Sequence, residues 1–251
     1  MTILYFSGTG NSKYVAELFS KRTKAKCHSI EEDINFVELL TTEKIIAFCY
    51  PVYASRVPRL MREFVARHLM LLKGKRIIIF CTQMAFSGDG ARAFADLLPK
   101  NYVKIISAEH FFMPNNVNNV FITPLAGKKL KRWYLRNSHK RMNAVCKNLS
   151  RRRIVKRGFN PVSRALGLLQ GTLFPVVEKW CASKVSIDGD CNNCGLCVEI
   201  CPVRNFSCQN GKVAAKRNCM MCYRCINRCP KKAISIVFPT KVKKQYKLNI
   251  K

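Results

Sequence analysis

Two stretches near the C-terminus constrain this chain more than any other: CNNCGLCVEICP at 191–202 and CMMCYRCINRCP at 219–230. Each reads Cys-x2-Cys-x2-Cys-x3-Cys-Pro, and the second repeats the first at an offset of 28 residues. The repeat runs beyond the cysteines: Val185 matches Val213, Phe206 matches Ile234 and Ser207 matches Ser235. The other six of the 14 cysteines (Cys27, Cys49, Cys81, Cys146, Cys181, Cys208) are scattered. Most lie in apolar contexts and read as small buried hydrophobes. "MTILYF" has neither a basic leader nor a cleavage site. No apolar run reaches the roughly 18 residues of a membrane span; the best candidate, ALGLLQGTLFPVV at 165–177, is broken by Gln170 and Pro175. The expected location is therefore the cytoplasm, where thiols stay reduced and matched cysteine groups mean metal rather than disulfides.

Structural zinc uses separated Cys-x2-Cys pairs with four ligands per ion, which fits two four-cysteine runs ending in proline badly. The spacing is that of [4Fe–4S] binding in bacterial proteins. Residues 183–238 resemble a two-cluster bacterial ferredoxin, a small α+β domain. In such a repeat three cysteines wrap one cube, and the fourth reaches the cube held by the other copy. The resemblance thus implies one cluster on Cys191, Cys194, Cys197 and Cys229, and another on Cys219, Cys222, Cys225 and Cys201. Pro202 and Pro230 end each helical turn, and FSCQNGKVAA between the copies reads as a hairpin with an Asn-Gly turn. Ferredoxins of this kind are often acidic, whereas this segment has nine Lys/Arg against three Asp/Glu.

The N-terminal half alternates apolar runs with helical periodicity. Strands are expected at 3–6, 44–50, 75–82 and 103–112, and helices at 12–22, 57–71 and 89–98, which argues for a doubly wound parallel α/β sheet. Between the first strand and helix lies Ser7-Gly8-Thr9-Gly10-Asn11-Ser12. It is neither a Walker loop nor a dinucleotide fingerprint, because Lys13 stands where each would need another residue. Backbone N–H groups at a helix N-terminus favour an anion, and the hydroxyls and amide add neutral donors. This resembles the phosphate loop of flavodoxins, matched at Ser7, Thr9, Gly10, Asn11 and Ser12, and the resemblance implies FMN. Flavodoxins hold the flavin ring with two further loops, here YPVYASRVP at 50–58 and TQMAFSGDG at 82–90. Tyr53 and Phe86 are their candidate ring-stacking residues. Many flavodoxins carry acidic residues and a glycine in the first of these loops, where this chain has Ala54, Ser55 and Arg56.

Between Glu109 and Glu178 there is no acidic residue and there are fourteen Lys/Arg. Residues 126–149 follow a helical pattern, with Leu130, Tyr134, Val145 and Leu149 on an apolar arc and Trp133 at its edge. That arc is expected to cover the sheet. Lys129, Arg132, Arg136, Lys140 and Lys147 lie opposite, and a second helical pattern spans 161–182. The expected organisation is a flavodoxin-like FMN domain at 1–150, a basic helical linker at 151–182, the two-cluster domain at 183–238 and a basic tail at 239–251. This order resembles ferredoxins with an N-terminal flavodoxin-like domain, which implies intracellular electron transfer through two [4Fe–4S] clusters and FMN. The alternative is a flavin oxidoreductase that reduces a small substrate. With 45 basic and 14 acidic residues, the expected partner is an acidic redox protein. No helix-turn-helix or aromatic RNA signature points to nucleic acid.

Overall fold

The computed structural model describes residues 1–84, 88–118, 125–238 and 240–248. The N-terminal part is a parallel sheet of β1 (Thr2–Tyr5), β2 (Lys26–Ser29), β3 (Ile45–Pro51), β4 (Arg76–Gln83), β5 (Lys104–Phe112) and β6 (Val155–Lys156). The strand order is β2-β1-β3-β4-β5-β6. Central β3 and β4 are continuous apolar runs because both of their faces are covered. One face buries Phe48, Tyr50, Ile77 and Ile79 against Met61 and Phe64 of α3 (Arg59–Arg67) and Phe94 of α4 (Gly90–Ala95). The alternate residues Ala47, Cys49, Ile78 and Phe80 face α1 (Asn11–Thr23) and α5 (Lys128–Ser150), meeting Val15, Phe19, Met142 and Val145. Phe19 meets Phe80 edge-on, with centroids 5.0 Å apart.

All four expected strands are present. Sequence reading missed β2, whose KCHS lacks an apolar run, α2 (Phe36–Thr42), and the two-residue β6. The run expected as one helix over 57–71 is α3 followed by a 3-10 turn at Leu69–Leu72. The apolar arc expected on α5 holds at Val145 and Leu149, which pack against the sheet, and is corrected at its N-terminal end. Ser138, Met142 and Val145 form the buried face, while Leu130 and Trp133 are about half exposed. The reason is that α5 packs against the core only from Leu135 onward. Its first turns overhang toward the C-terminal tail, where Lys131 donates to the Lys247 carbonyl and sits 5.1 Å from the Tyr246 ring centroid. Residues 161–182 form two helices, α6 (Pro161–Gly171) and α7 (Phe174–Ala182). The chain bends between them, and Pro175 in the first turn of α7 has no N–H to continue α6.

The cysteine-rich segment has two antiparallel strand pairs. β7 (Val185–Ile187) pairs with β10 (Ile234–Ile236), and β8 (Phe206–Gln209) with β9 (Lys212–Ala215) across the expected Asn-Gly turn. Short helices α8 (Leu196–Ile200) and α9 (Arg224–Arg228) occupy equivalent places in the two copies. Each strand pair joins a strand preceding one copy to a strand following the other, so the sequence repeat becomes a structural one.

β5 also carries His110, whose Nε2 accepts the Ala91 N–H. Burial first, then Arg157 and Arg141, push its imidazole from 6.5 down to about 4. The unfolded chain therefore binds more protons between those two pH values. Stability should be complete above about pH 6.5 and fall as the pH drops toward 4, by at most roughly 3 kcal/mol. Urea titrations across this window should show that slope, and His110→Gln should flatten it.

Candidate functional site

At the C-terminal ends of β1, β3, β4 and β5 lies a cavity of about 370 Å³, where ligands bind in sheets of this kind. Ser7 to Thr9, Asn11 and Ser12 form one end, residues 51–54 and 82–84 the sides, and residues 113–117 a further wall. Among the described residues that line it none is charged. Gly10 caps α1 in a left-handed conformation (φ 103°), without a side-chain cap. The first N–H groups of α1 have no intrahelical partner.

The hydroxyls around the loop are oriented by bonds they accept. Ser7 Oγ accepts the Gly10 N–H at 3.1 Å and Thr9 Oγ1 accepts Asn116 Nδ2 at 2.8 Å. Each therefore keeps its own hydrogen to donate. Ser12 Oγ and Thr82 Oγ1 share a buried 2.8 Å bond, which leaves one hydroxyl hydrogen of the pair. Asn11 differs. Its Nδ2 donates to the Pro114 carbonyl and its Oδ1 accepts from Tyr246, so its amide fastens the 113–117 wall and the tail to α1.

Tyr53 lines the cavity at the start of a tight turn. Tyr53 and Arg56 exchange both backbone bonds, while Ala54 (φ 45°) and Ser55 (φ 61°) are left-handed. Such a turn favours Asn-Gly, so the backbone here is strained and held from outside. The clamp is α6: Ser55 Oγ donates to Gln170 Oε1 and Arg56 Nε to the Gly171 carbonyl. Phe86 lies outside the described residues.

The remaining wall comes from Phe174 of α7 and from Met221 and Tyr223, which sit between cysteines of the second run. That run is pressed onto the loop. A Cβ on Gly8 would collide with the Cys222 carbonyl, so only glycine allows the two backbones this close. Arg224 brackets the contact, donating to the carbonyls of Ser7, Gly8 and Ile200 and to both oxygens of Glu31. Asn227 donates to the Asn116 carbonyl and accepts from Tyr246 N–H. Met220 and Cys222 belong to the same buried cluster as Phe48 and Tyr50.

The eight cysteines fall into two neighbourhoods. The Cys219 thiol is pushed up to about 12, by burial first, against the Met221 N–H, and then by Cys222 and Cys201. Burial likewise leads for Cys225, followed by Cys222, Cys219 and Cys201. In the other set burial raises Cys197 to about 11, partly offset by a backbone bond, with Cys191, Cys229 and Cys194 adding to it. Cys219, Cys222 and Cys225 are buried, whereas Cys191, Cys197, Cys201 and Cys229 are half-buried and Cys194 is exposed. Backbone N–H groups of Met221, Asn205 and Ala233 point at Cys219, Cys201 and Cys229 sulfurs at 3.2–3.4 Å. Among the described residues no three His, Cys, Asp or Glu are gathered tightly enough for a single metal ion. Tyr53 lines the cavity, and burial, then Cys222 and Cys219, raise its phenol well above its ordinary value.

Residues 2–123 match the family model described as a flavodoxin domain. The solution structure of two-electron reduced flavodoxin from Megasphaera elsdenii is 23% identical over 43% of this chain and 83% of that one, with a TM-score of 0.38. Oxidised Flavodoxin 2 from Bacillus cereus is 15% identical over 59% and 99%, with a TM-score of 0.41. A comparison with curated proteins found no match. The N-terminal domain is flavodoxin-like, on the matched segment and the parallel sheet; that segment stops short of both cysteine runs.

Sequence reading missed Gly8 and Arg224 as the joint between loop and cysteine run. Arg224→Ala should leave Glu31 and three carbonyls without their donor. It should lower the unfolding free energy of the full chain by about 2–4 kcal/mol, measured in urea, and expose the 219–230 segment to protease.

Proposed function

We propose that this protein is an electron carrier that binds FMN over residues 7–12 and two [4Fe–4S] clusters on its paired cysteine runs. The observation that carries the reading is the shared wall. Met221 and Tyr223 line the cavity over the loop and alternate in sequence with Cys219, Cys222 and Cys225. Bound, FMN exchanges one or two electrons and each cluster one, so together they connect one-electron carriers to a flavin.

The chain's own groups fit these cofactors. The α1 N-terminus and the hydroxyls of Ser7, Thr9 and Ser12 offer neutral donors to a phosphate. Tyr53 and the apolar lining suit a ring system and keep water from it. Cys219, Cys222, Cys225 and Cys201 form one ligand set, and Cys191, Cys194, Cys197 and Cys229 the other, with backbone N–H groups on three of the sulfurs. The first set is the more buried and adjoins the cavity; the second is nearer the surface. This supports an order of transfer from solvent to the outer set, the inner set and the flavin. On α5, Lys129, Arg132, Arg136, Lys140 and Lys147 are all exposed, which suits an acidic redox partner steered by charge.

Anaerobic purification should give about eight iron and eight sulfide per chain, with one FMN. Zinc, or a single cluster, would overturn the cysteine assignment. Thr9→Val removes one hydroxyl donor to a charged group and should weaken FMN by about ten- to a hundredfold. Riboflavin, which lacks the phosphate, should be nearly unaffected. Equal losses for both flavins would mean that the loop holds no phosphate.

Cys225→Ala should remove the inner cluster. It should then abolish reduction of the flavin by a one-electron donor while leaving FMN content unchanged. Undiminished flavin reduction in that variant would overturn the order of transfer.

A further inference from the structure

Helix α6 is packed inside out, and α7 carries an outward apolar stripe beside its inward one. On α6 the buried residues are the small ones, Ser163, Gly167 and Gly171. A Cβ at Gly167 would collide with the Asp89 carboxylate, and one at Gly171 would come within 2.8 Å of Arg56 Nε. The same helix meets Gly88 through its backbone, since a Cβ at Gly88 would lie 2.7 Å from Gly167 N. These contacts fix the rotation of α6 and turn Leu168 and Leu169 outward. On α7, Phe174 and Cys181 face in, and Glu178 pairs with Arg62 at 3.1 Å. Leu173, Val176, Val177 and Trp180 face out, at the i, i+3, i+4 and i+7 spacing of one helical stripe. Leu169, Leu173 and Val176 are 73%, 71% and 70% exposed. Single exposed leucines need no explanation, but outward stripes of bulky apolar residues on two successive helices mark an interaction surface.

The charge around this face selects its occupant. Arg164, Lys179 and Lys184 are exposed on or beside the two helices. Glu178, the one acidic residue between Glu109 and Asp188, is held by Arg62. Lys184 Nζ lies 5.5 Å from the Trp180 ring centroid, an aromatic–cation pair at the edge of the stripe. A second copy would bring these unpaired cations against their like. Neither helix is long and apolar enough to cross a bilayer.

We infer that α6 and α7 form a surface that rests on an anionic lipid bilayer, with the apolar stripe in the interfacial region and the flanking cations against the headgroups. Phe174, on the inner face of α7, lines the cavity of the loop. Docking would thus hold the cavity's α7 wall at the membrane surface.

The test is flotation of the full-length protein with vesicles of phosphatidylcholine alone and of phosphatidylcholine mixed with phosphatidylglycerol. The mixed vesicles should retain it at least roughly tenfold more, with retention reduced by salt. In a Trp133→Phe background, Trp180 is the sole tryptophan, and its emission should shift to the blue on the mixed vesicles. Leu169→Gln, Leu173→Gln and Val176→Gln together should abolish retention and shift, with the unfolding midpoint unchanged because these side chains are exposed. Absence of retention on the mixed vesicles would overturn the inference. Equal retention of the triple variant would overturn it too, since charge alone would then suffice. A wild-type dimer that the triple variant turns into a monomer, without vesicle binding, would assign the face to a second copy instead.

Discussion

The approach of two backbones at Gly8 and Cys222 is the constraint on which the rest depends. One belongs to the turn between β1 and α1, the other to the second cysteine run, and no side chain fits between them at Gly8. Arg224 holds the contact from 216 residues away in the chain, with its guanidinium on two loop carbonyls and Glu31. Because Arg224 stands between Cys222 and Cys225, the shape of the loop and the shape of the cysteine run cannot vary independently. The cavity inherits that coupling, since Met221 and Tyr223 are its wall. The two modules also share a core through Met220. Relative motion is the default expectation for domains joined by a small polar interface, and this interface is not wholly polar, because Met220 and Cys222 are buried in the N-terminal core.

Much of the fold was legible because its signals are local. β1, β3, β4 and β5 announce themselves as apolar runs, the hairpin by Asn-Gly, and α8 and α9 by the equivalence of the two cysteine copies. β2 was not legible, because an edge strand with one polar partner face needs no apolar run. The face of α5 was misread because periodicity gives an arc without saying how far along the helix that arc meets anything. Sequence spacing also could not reveal the joint. Gly8 reads as one more loop glycine, and Arg224 as one basic residue among nine in its segment. Their meaning lies in an apposition of distant segments that leaves no local mark. The loop hydroxyls were legible as donors, but not the role of Asn11, whose amide is engaged by Pro114 and Tyr246.

Three of the 14 acidic residues stand at joints between distant segments. Glu31 fastens the cysteine run to the loop through Arg224, and Glu109 binds Arg141 of α5 and Arg157 beyond β6. Glu178 anchors α7 to α3 through Arg62. Each pair links segments far apart in sequence and at least one partner is largely buried, so these pairs differ from surface pairs, which contribute little. With three carboxylates engaged at these joints and 45 basic residues against 14 acidic ones, the outer surface is left strongly cationic. Its mutual repulsion lowers stability and weakens in salt.

The same conflict explains why α6 is inverted. The turn at Tyr53–Arg56 has two non-glycine residues with positive φ, and such strain persists only when neighbouring structure over-determines it. α6 supplies that restraint through Gln170 and the Gly171 carbonyl. To reach the turn its backbone must come close, which requires small residues on the inner face. Glycine and serine there displace the bulky residues of the helix to the outside, where an ordinary amphipathic helix would carry charge. A helix with leucine inside could bury more apolar area, but it would stand further from the sheet and release the turn. The exposed stripe on α6 therefore follows from the geometry of the cavity's rim, whereas the stripe on α7 does not. Phe174 and Cys181 already face inward there, and polar residues at Val176, Val177 and Trp180 would serve the fold as well. Both stripes face outward together, but only the one on α7 is apolar without a demand from the fold, so of the substituted positions Val176 reports most directly on contact.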